Sequence, residues 1–382
     1  MRSTIRFMSW IVLSIFLQGY SFAVATKEPV LPAPPKDGVE VDPPLSADLP
    51  EDYSSLPLFG SIEWETQRLP WVEEGPYAGI SGVAMAVHDG KIYVVGGFIP
   101  GGDETEDAAS RRTSRWTWVY DPNSGSWDRL ADAPFRTEYT RGIVAEDSLY
   151  LIAGACQFKK QDPPYRVLGD CARLDLSTDP PTWKEFAPLN VPRTHTAIGH
   201  VGKYLIVAGG NQYDFAENGY SHNTIRDTNE VFDLSHPELG WQLKTPVPAP
   251  PRGWCGSVAT QDAVYLFGGI TWNESNEILG AGETLRYDPQ TDNWKKLASS
   301  PLPISAWEGD LYADRYVLLA GGVVRPVLET DDSPTWSDLV WAYDIQEDRW
   351  TRVDGVLPPG AVFNDPGVVI IDDTIYVLGA EG

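Results

Sequence analysis

Cationic side chains are scarce in this chain: 29 Lys and Arg stand against 54 Asp and Glu, a net charge of -25 and a sequence pI near 4.5. A field of that sign repels phosphate backbones, which excludes nucleic acid as an expected partner. No basic amphipathic helix is present to hold a membrane surface. Cysteine is also rare, with three residues, and neither a CxxC nor an HExxH spacing occurs, so no zinc site is expected. Of five histidines only His195 falls near the start of a candidate inner strand, and no copper ligand set can be assembled around it. The chain is therefore read as needing no metal and no cofactor. Beyond the first two dozen residues no long segment has a 3.6-residue period, which excludes a major helix.

What the chain does hold is 35 Gly, 32 Pro and 15 Trp, arranged with a period. In the stretch Val191 to Gly210, a Pro and a polar pair lead into a small-residue strand, a turn at Gly202-Lys203, and an apolar strand that ends in Gly209-Gly210. Related endings recur at Tyr93–Gly97, Tyr150–Gly154, Tyr265–Gly269, Tyr316–Gly322 and Tyr376–Ala380, spaced 53 to 59 residues apart. Downstream of five of them comes an apolar residue before Asp (Tyr120, Leu174, Phe232, Tyr287, Tyr343), then a Trp six or eight residues past that Asp: Trp127, Trp183, Trp241, Trp294, Trp350. Each unit reads as four short strands.

That period and composition are the kelch signature, in which each repeat is one four-stranded blade of a β-propeller. The expected fold is all-β, a six-bladed kelch-type propeller over residues 59–382. Residues 1–25 read as a secretory signal, with Arg2 and Arg6 ahead of an apolar run and Ala23-Val24-Ala25 as the cleavage pattern. That predicts a periplasmic or secreted protein with no membrane attachment after cleavage. Residues 26–58, rich in Pro and acidic side chains, read as a linker. The segment around Trp64 resembles a Trp-bearing fourth strand without a doublet before it. It is expected to complete the blade begun at the C-terminal end and so to close the ring, with Glu51 to Leu58 a candidate for that blade's third strand and a truncated C-terminal blade as the competing reading. Cys156 and Cys171, near facing ends of neighbouring strands in an oxidising compartment, are expected to form a disulfide. Cys255 reads as a small buried residue.

Chemistry is expected on the face where the inner strands begin, because the long connections after the doublets rise there (Phe98–Arg115, Ala155–Asp170, Asn211–Thr228, Ile270–Gly282, Val323–Asp338). Residues opening the inner strands point to a central funnel: Arg136 and Glu138, Arg193 and His195, Arg252 and Trp254, Trp307 and Glu308, Asn364 and Asp365. Gln157, Asn211, Trp272 and Asn273 follow the doublets and join the candidates. Arg grips a carboxylate through paired hydrogen bonds, and flat Trp faces suit sugar rings, so the inventory fits a small acidic carbohydrate. Arg193 and Arg252 have an alternative use, bonding backbone carbonyls between blades. His195, in a Pro-Arg-x-His context common to kelch repeats, reads first as packing and second as a catalytic group. Glu308 beside Trp307 is a candidate general acid or base, with a cap on loop amides as its alternative.

The six units, the export signal and the out-of-order strand around Trp64 resemble secreted bacterial kelch proteins of the N-acetylneuraminate epimerase (sialic acid mutarotase) group. The resemblance implies interconversion of sialic acid anomers by acid–base groups with an Arg facing the carboxylate. The group's Glu soon after a doublet is matched here only by Glu381; Gln157, Asn211, Ile270 and Val323 stand at the comparable places. Galactose-oxidase-like kelch enzymes are a second, copper-using comparison. Two readings follow. One is an exported epimerase acting on an acidic sugar, with Glu308, Glu138 or His195 moving protons, with Arg136, Arg193 or Arg252 as anchors, and with Trp254, Trp307, Asn211, Gln157 and Asn364 lining the site. The other is a non-catalytic module that binds a glycan or a protein on the loop-rich face. Two arginines and a carboxylate converging on one pocket favour the first; arginines turned into blade interfaces favour the second.

Overall fold

Short alternating apolar strands bounded by Gly, Asp and Asn turns pair locally, and each repeat folds into its own antiparallel sheet. A computed structural model of the chain describes residues 50–67, 69, 80–100, 111–157, 165–213, 220–324, 335–358 and 365–379. The expected signal, most of the linker, and Asn364 lie outside the described residues. Sheet one comprises Ser81–His88, Lys91–Pro100, Thr117–Asp121 and Ser126–Arg129. Sheet two follows with Arg141–Ala145, Ser148–Gln157, Tyr165–Asp175 and Thr182–Phe186, and sheet three with Ala197–Val201, Tyr204–Ala208, Asn229–Asp233 and Trp241–Leu243. Sheet four is Gly256–Ala259, Val264–Phe267, Thr284–Asp288 and Asn293–Leu297. Sheet five is Glu308–Tyr312, Tyr316–Ala320, Val340–Asp344 and Arg349–Asp354, and sheet six is the hairpin Gly367–Ile371 with Thr374–Leu378.

The repeat residues explain both the sheets and their stacking. Each apolar residue before Asp lies directly opposite its Trp across the third and fourth strands: Tyr120 faces Trp127, Leu174 faces Trp183, Phe232 faces Trp241, Tyr287 faces Trp294 and Tyr343 faces Trp350. Four of those Trp side chains also donate Nε1–H to a carbonyl of the preceding sheet's exit segment, Trp183 to Ala131, Trp241 to Ala187, Trp294 to Thr245 and Trp350 to Ala298, at 2.8–3.0 Å. One side chain thus packs within its sheet and bonds to the previous one. The doublets serve close approach. A Cβ on Gly97 would stand 2.5 Å from the Val83 side chain, and one on Gly210 would stand 2.7 Å from the Thr194 carbonyl.

Closure of the ring shows in the backbone. The residue two places before the first strand's charged or small position adopts a left-handed conformation in all six units: Gly82, Tyr139, His195, Trp254, Ala306 and Asp365, with φ between 51° and 60°. Their amides and carbonyls form one cyclic chain of hydrogen bonds. Tyr139 donates to Gly82, His195 to Tyr139, Trp254 to His195, Ala306 to Trp254, Asp365 to Ala306, and Gly82 to Asp365, at 2.7–3.3 Å. L-residues rarely adopt this conformation without compensation; here each one completes a link of the hoop.

Three expectations need correction. The N-terminal strand, Leu58–Ser61, pairs in parallel with Arg349–Asp354 at the outer edge of sheet five, rather than with the final hairpin. Trp64 is not in a strand; it packs with Ile62 against residues of sheets five and six, including Leu318 and Val377. The segment still ties early residues to late ones, by backbone bonds as far as Ile62, which donates to the Asp354 carbonyl, and by side chains between two sheets beyond it. The linker boundary at 58 also falls too late. Tyr53, in the helical turn Glu51–Ser54, is buried, donates to the Val340 and Val353 carbonyls, and meets the Trp341 ring edge-on. Finally, Cys156 and Cys171 are free thiols. Cys171 lies opposite Ile152, whereas Cys156 lies opposite Arg166. Four residues of strand separate the two, roughly 13 Å at about 3.3 Å per residue, far beyond disulfide reach.

Candidate functional site

The hydrogen-bonded hoop divides the central axis into a mouth on the loop-rich side and a channel lined by the inner strands. At the mouth the hoop carries three rings in a row. His195 stacks between Tyr139, at 4.3 Å, and Trp254, at 3.9 Å, both nearly parallel to it. Tyr220 stands edge-on to His195 and Trp254, and Trp272 lies 5.6 Å from Trp254 and 6.2 Å from Tyr220. Tyr213 and Tyr165 extend the cluster, with the Tyr165 and Tyr220 hydroxyls 2.8 Å apart. Tyr139, Tyr220, Trp254 and Trp272 are partly exposed, while His195 is buried. Burial among rings, with the Arg141 charge adding to it, holds His195 well below the usual histidine range, so it is neutral. Its Nδ1 has no hydrogen-bond partner.

The expected anchors sit elsewhere. Arg193 is fully buried, paired with Glu230 at 2.8 Å and donating to the Val207 carbonyl. Arg252 is fully buried against Glu283 at 3.1 Å. Both are buried away from the mouth and pair with a carboxylate beside or within their own sheet, rather than bonding carbonyls between blades as the alternative expected. Arg136 is half-buried and donates to the Thr113 carbonyl, and Glu138 is buried, accepting from the Thr113 hydroxyl at 2.7 Å. Trp307 does not face the funnel. Its ring is completely buried, stacks on Trp350 and donates Nε1–H to the Phe267 carbonyl, because packing of a large apolar ring between sheets outweighs exposure. Asn211 is buried beneath the mouth with neither side-chain amide atom hydrogen-bonded. Gln157 ends the second strand of sheet two, its backbone opposite Tyr165.

Glu308 lies in the channel, in contact with Arg141, a residue that sequence reasoning passed over. Arg141 reaches from sheet two to sheet five and also donates to the Cys255 carbonyl at 2.6 Å. Burial pushes Glu308 up to about 8; the Arg141 charge opposes that rise and the Asp365 carboxylate adds to it. Asp310, two residues further on, is pushed by burial up to about 6 while accepting from the Ile370 and Leu311 amides. A signal for Arg141 was present. Two residues after the left-handed position the six units carry Ala84, Arg141, Ala197, Gly256, Glu308 and Gly367, four small side chains and two opposite charges.

A family model described as Kelch motif matches residues 80–134. "Kelch-like protein terF" of Aspergillus terreus is 26% identical over 272 residues, covering 69% of this chain and 56% of that protein. "Kelch-like protein 15" of Mus musculus is 25% identical over 300 residues, covering 74% and 44%. The chain thus spans about half the length of the curated relatives it matches. A solved structure titled "Structure of YjhT" superposes with a TM-score of 0.56 at 15% identity, over 75% of this chain and 85% of that one, a likeness that shows the fold. Motif, relatives and architecture agree: the chain is a kelch-repeat β-propeller.

Proposed function

We propose that this protein is a non-catalytic binding propeller that takes a neutral glycan at the aromatic mouth of its loop-rich side. One observation carries the reading: Tyr220, Trp254 and Trp272 meet in a partly exposed cluster over the axis. Aromatic faces of this kind bury the C–H surfaces of sugar rings. The arginines that would anchor an acidic sugar support it from the other side, since Arg193 is held by Glu230 and Arg252 is fully buried beside Glu283. Glu138, next to Tyr139 in sequence, and Asp365, a residue of the hoop, both act on Tyr220 as negative charge and add negative rather than positive field at the mouth. Residues 1–25 are proposed to export the chain to the periplasm or beyond, where glycans are met.

The test is tryptophan fluorescence titration of the purified protein with neutral oligosaccharides. Saturable change in emission is expected, with affinity at least tenfold weaker in Trp272→Ala while the melting temperature is retained. Absence of binding by any oligosaccharide overturns the reading. Accelerated anomer exchange of N-acetylneuraminate, followed by proton NMR, overturns its non-catalytic part.

A further inference from the structure

On the far side of the hoop from the aromatic mouth the inner strands enclose a cavity of about 350 Å³. Its lining mixes apolar side chains, among them Met85, Val87, Val144 and Val369, with Ser257, Glu308 and Asp310, and among the described residues its basic side chains are Arg141 and His200. His200 is held by its own turn, with Nε2 2.6 Å from the Gly202 carbonyl. Arg141 crosses the axis to Glu308 on the opposite sheet, each side chain retaining 14% exposure. The equivalents of these two residues in the other four units are Ala84, Ala197, Gly256 and Gly367, and Gly142, Gly199 and Gly309 also line the cavity. The charged strut therefore stands with space around it, in the one place where the repeat departs from small residues.

We propose that this channel is a second ligand site, for a small uncharged cyclic polyol that hydrogen-bonds Arg141 and Glu308 together. Charge selects the class. An anion entering the channel meets the Asp310 carboxylate, with Asp365 nearby, and a lone cation meets the Arg141 guanidinium, whether or not Glu308 holds its proton. Vicinal hydroxyls satisfy both ends of the strut without breaking it: one accepts from a guanidinium N–H, and its neighbour pairs with the second Glu308 oxygen, donating to the carboxylate or accepting from the protonated acid. Arg141 has five N–H groups, and its contacts with Glu308 and the Cys255 carbonyl leave others for a ligand. The apolar side chains of the lining, Met85, Val87, Val144 and Val369, meet the C–H faces of the ring, the usual division of labour in a small-molecule pocket. The proposal is independent of the glycan mouth, because the hoop and the stacked rings of Tyr139, His195 and Trp254 stand between them.

The experiment is ligand-observed NMR and calorimetry on the whole protein with myo-inositol and glucose, with glycine betaine and N-acetylneuraminate as the zwitterionic and anionic comparisons. Binding of a neutral polyol is expected, weakened at least tenfold in Glu308→Gln and in Val144→Phe, which narrows the cavity without touching the strut. Trp272→Ala is expected to leave it unchanged, which separates this site from the mouth. Polyol binding that survives both channel variants, or that disappears with Trp272→Ala, overturns the proposal. So does binding of none of the polyols, or a preference for either charged probe that depends on Glu308. Should Glu308→Gln fail to fold, Val144→Phe alone decides between the outcomes.

Discussion

Two buried ion pairs in this ring look alike in sequence and do different work. Arg193–Glu230 has no solvent exposure on either side chain. Its carboxylate is fully occupied: one oxygen accepts from Arg193 and the Val191 amide, the other from the amide and side chain of Asn190. Arg141–Glu308 sits beside a cavity, its side chains are each 14% exposed, and the only hydrogen bond to the Glu308 carboxyl among the described residues is the one from Arg141. The first pair is a rivet between a loop and a strand. The second is a charge held on few partners, which is what makes it sensitive to protons and to solutes. The number of donors around the carboxylate separates the two, not the pairing of opposite charges.

The largest effect expected from this difference is in Glu230→Ala. It strands the Arg193 guanidinium and the donors of Asn190 and Val191 inside the protein, at a cost of about 3–5 kcal/mol by urea unfolding. A loss below about 1 kcal/mol breaks the comparison at once. Glu308→Gln is expected to cost less at pH 7, about 1 kcal/mol, and to change the pH dependence instead. Because the folded state raises Glu308 to about 8, it holds that proton longer than the unfolded chain does. The stabilisation from that proton is complete below the ordinary value near 4.5 and is lost as pH rises through about 8. Asp310, raised to about 6, has the same sign in a lower window. Between pH 6 and 8 the wild-type protein should therefore lose stability and Glu308→Gln should not. Parallel curves would mean that Arg141 keeps Glu308 ionised.

The fold was legible because its signals are local and repeated. Each Tyr120-to-Trp127 type of pair is a cross-strand contact within one sheet, and the second Gly of the first five doublets marks a backbone approach too close for a Cβ, whereas the first position accepts Ala153 in sheet two. The site was less legible because its contacts are made across the ring. Arg141 and Glu308 are 167 residues apart and lie on opposite sheets. Arg193 and Arg252 occupy the same repeat position, and sequence alone does not show which acidic residue, Glu230 or Glu283, is carried to them by a later strand. Tyr220 lay in a connection read only for its length. Cys156 and Cys171 misled for a related reason: being on paired strands is not being opposite, and the shift in register after Ile152 sets Cys156 against Arg166.

His195 offers a third buried group, with the opposite sign and a smaller effect. Burial between Tyr139 and Trp254 lowers its proton affinity, so the unfolded chain binds that proton more readily than the folded one. Stability linked to His195 is present above the ordinary value of 6.5 and is lost as pH falls below it, against the trend set by Glu308. The comparison to make is with His195→Asn, whose side chain tolerates the left-handed backbone at this position. The stability difference between wild type and variant should be constant above about pH 7 and shrink between pH 6.5 and 5, measured by urea unfolding at each pH. Glycan affinity at the mouth should stay flat over the same range, since the stacked ring is neutral throughout. A difference that does not change with pH would mean that the ring takes up its proton in place, and the stack would then have to open or hold a cation against Arg141.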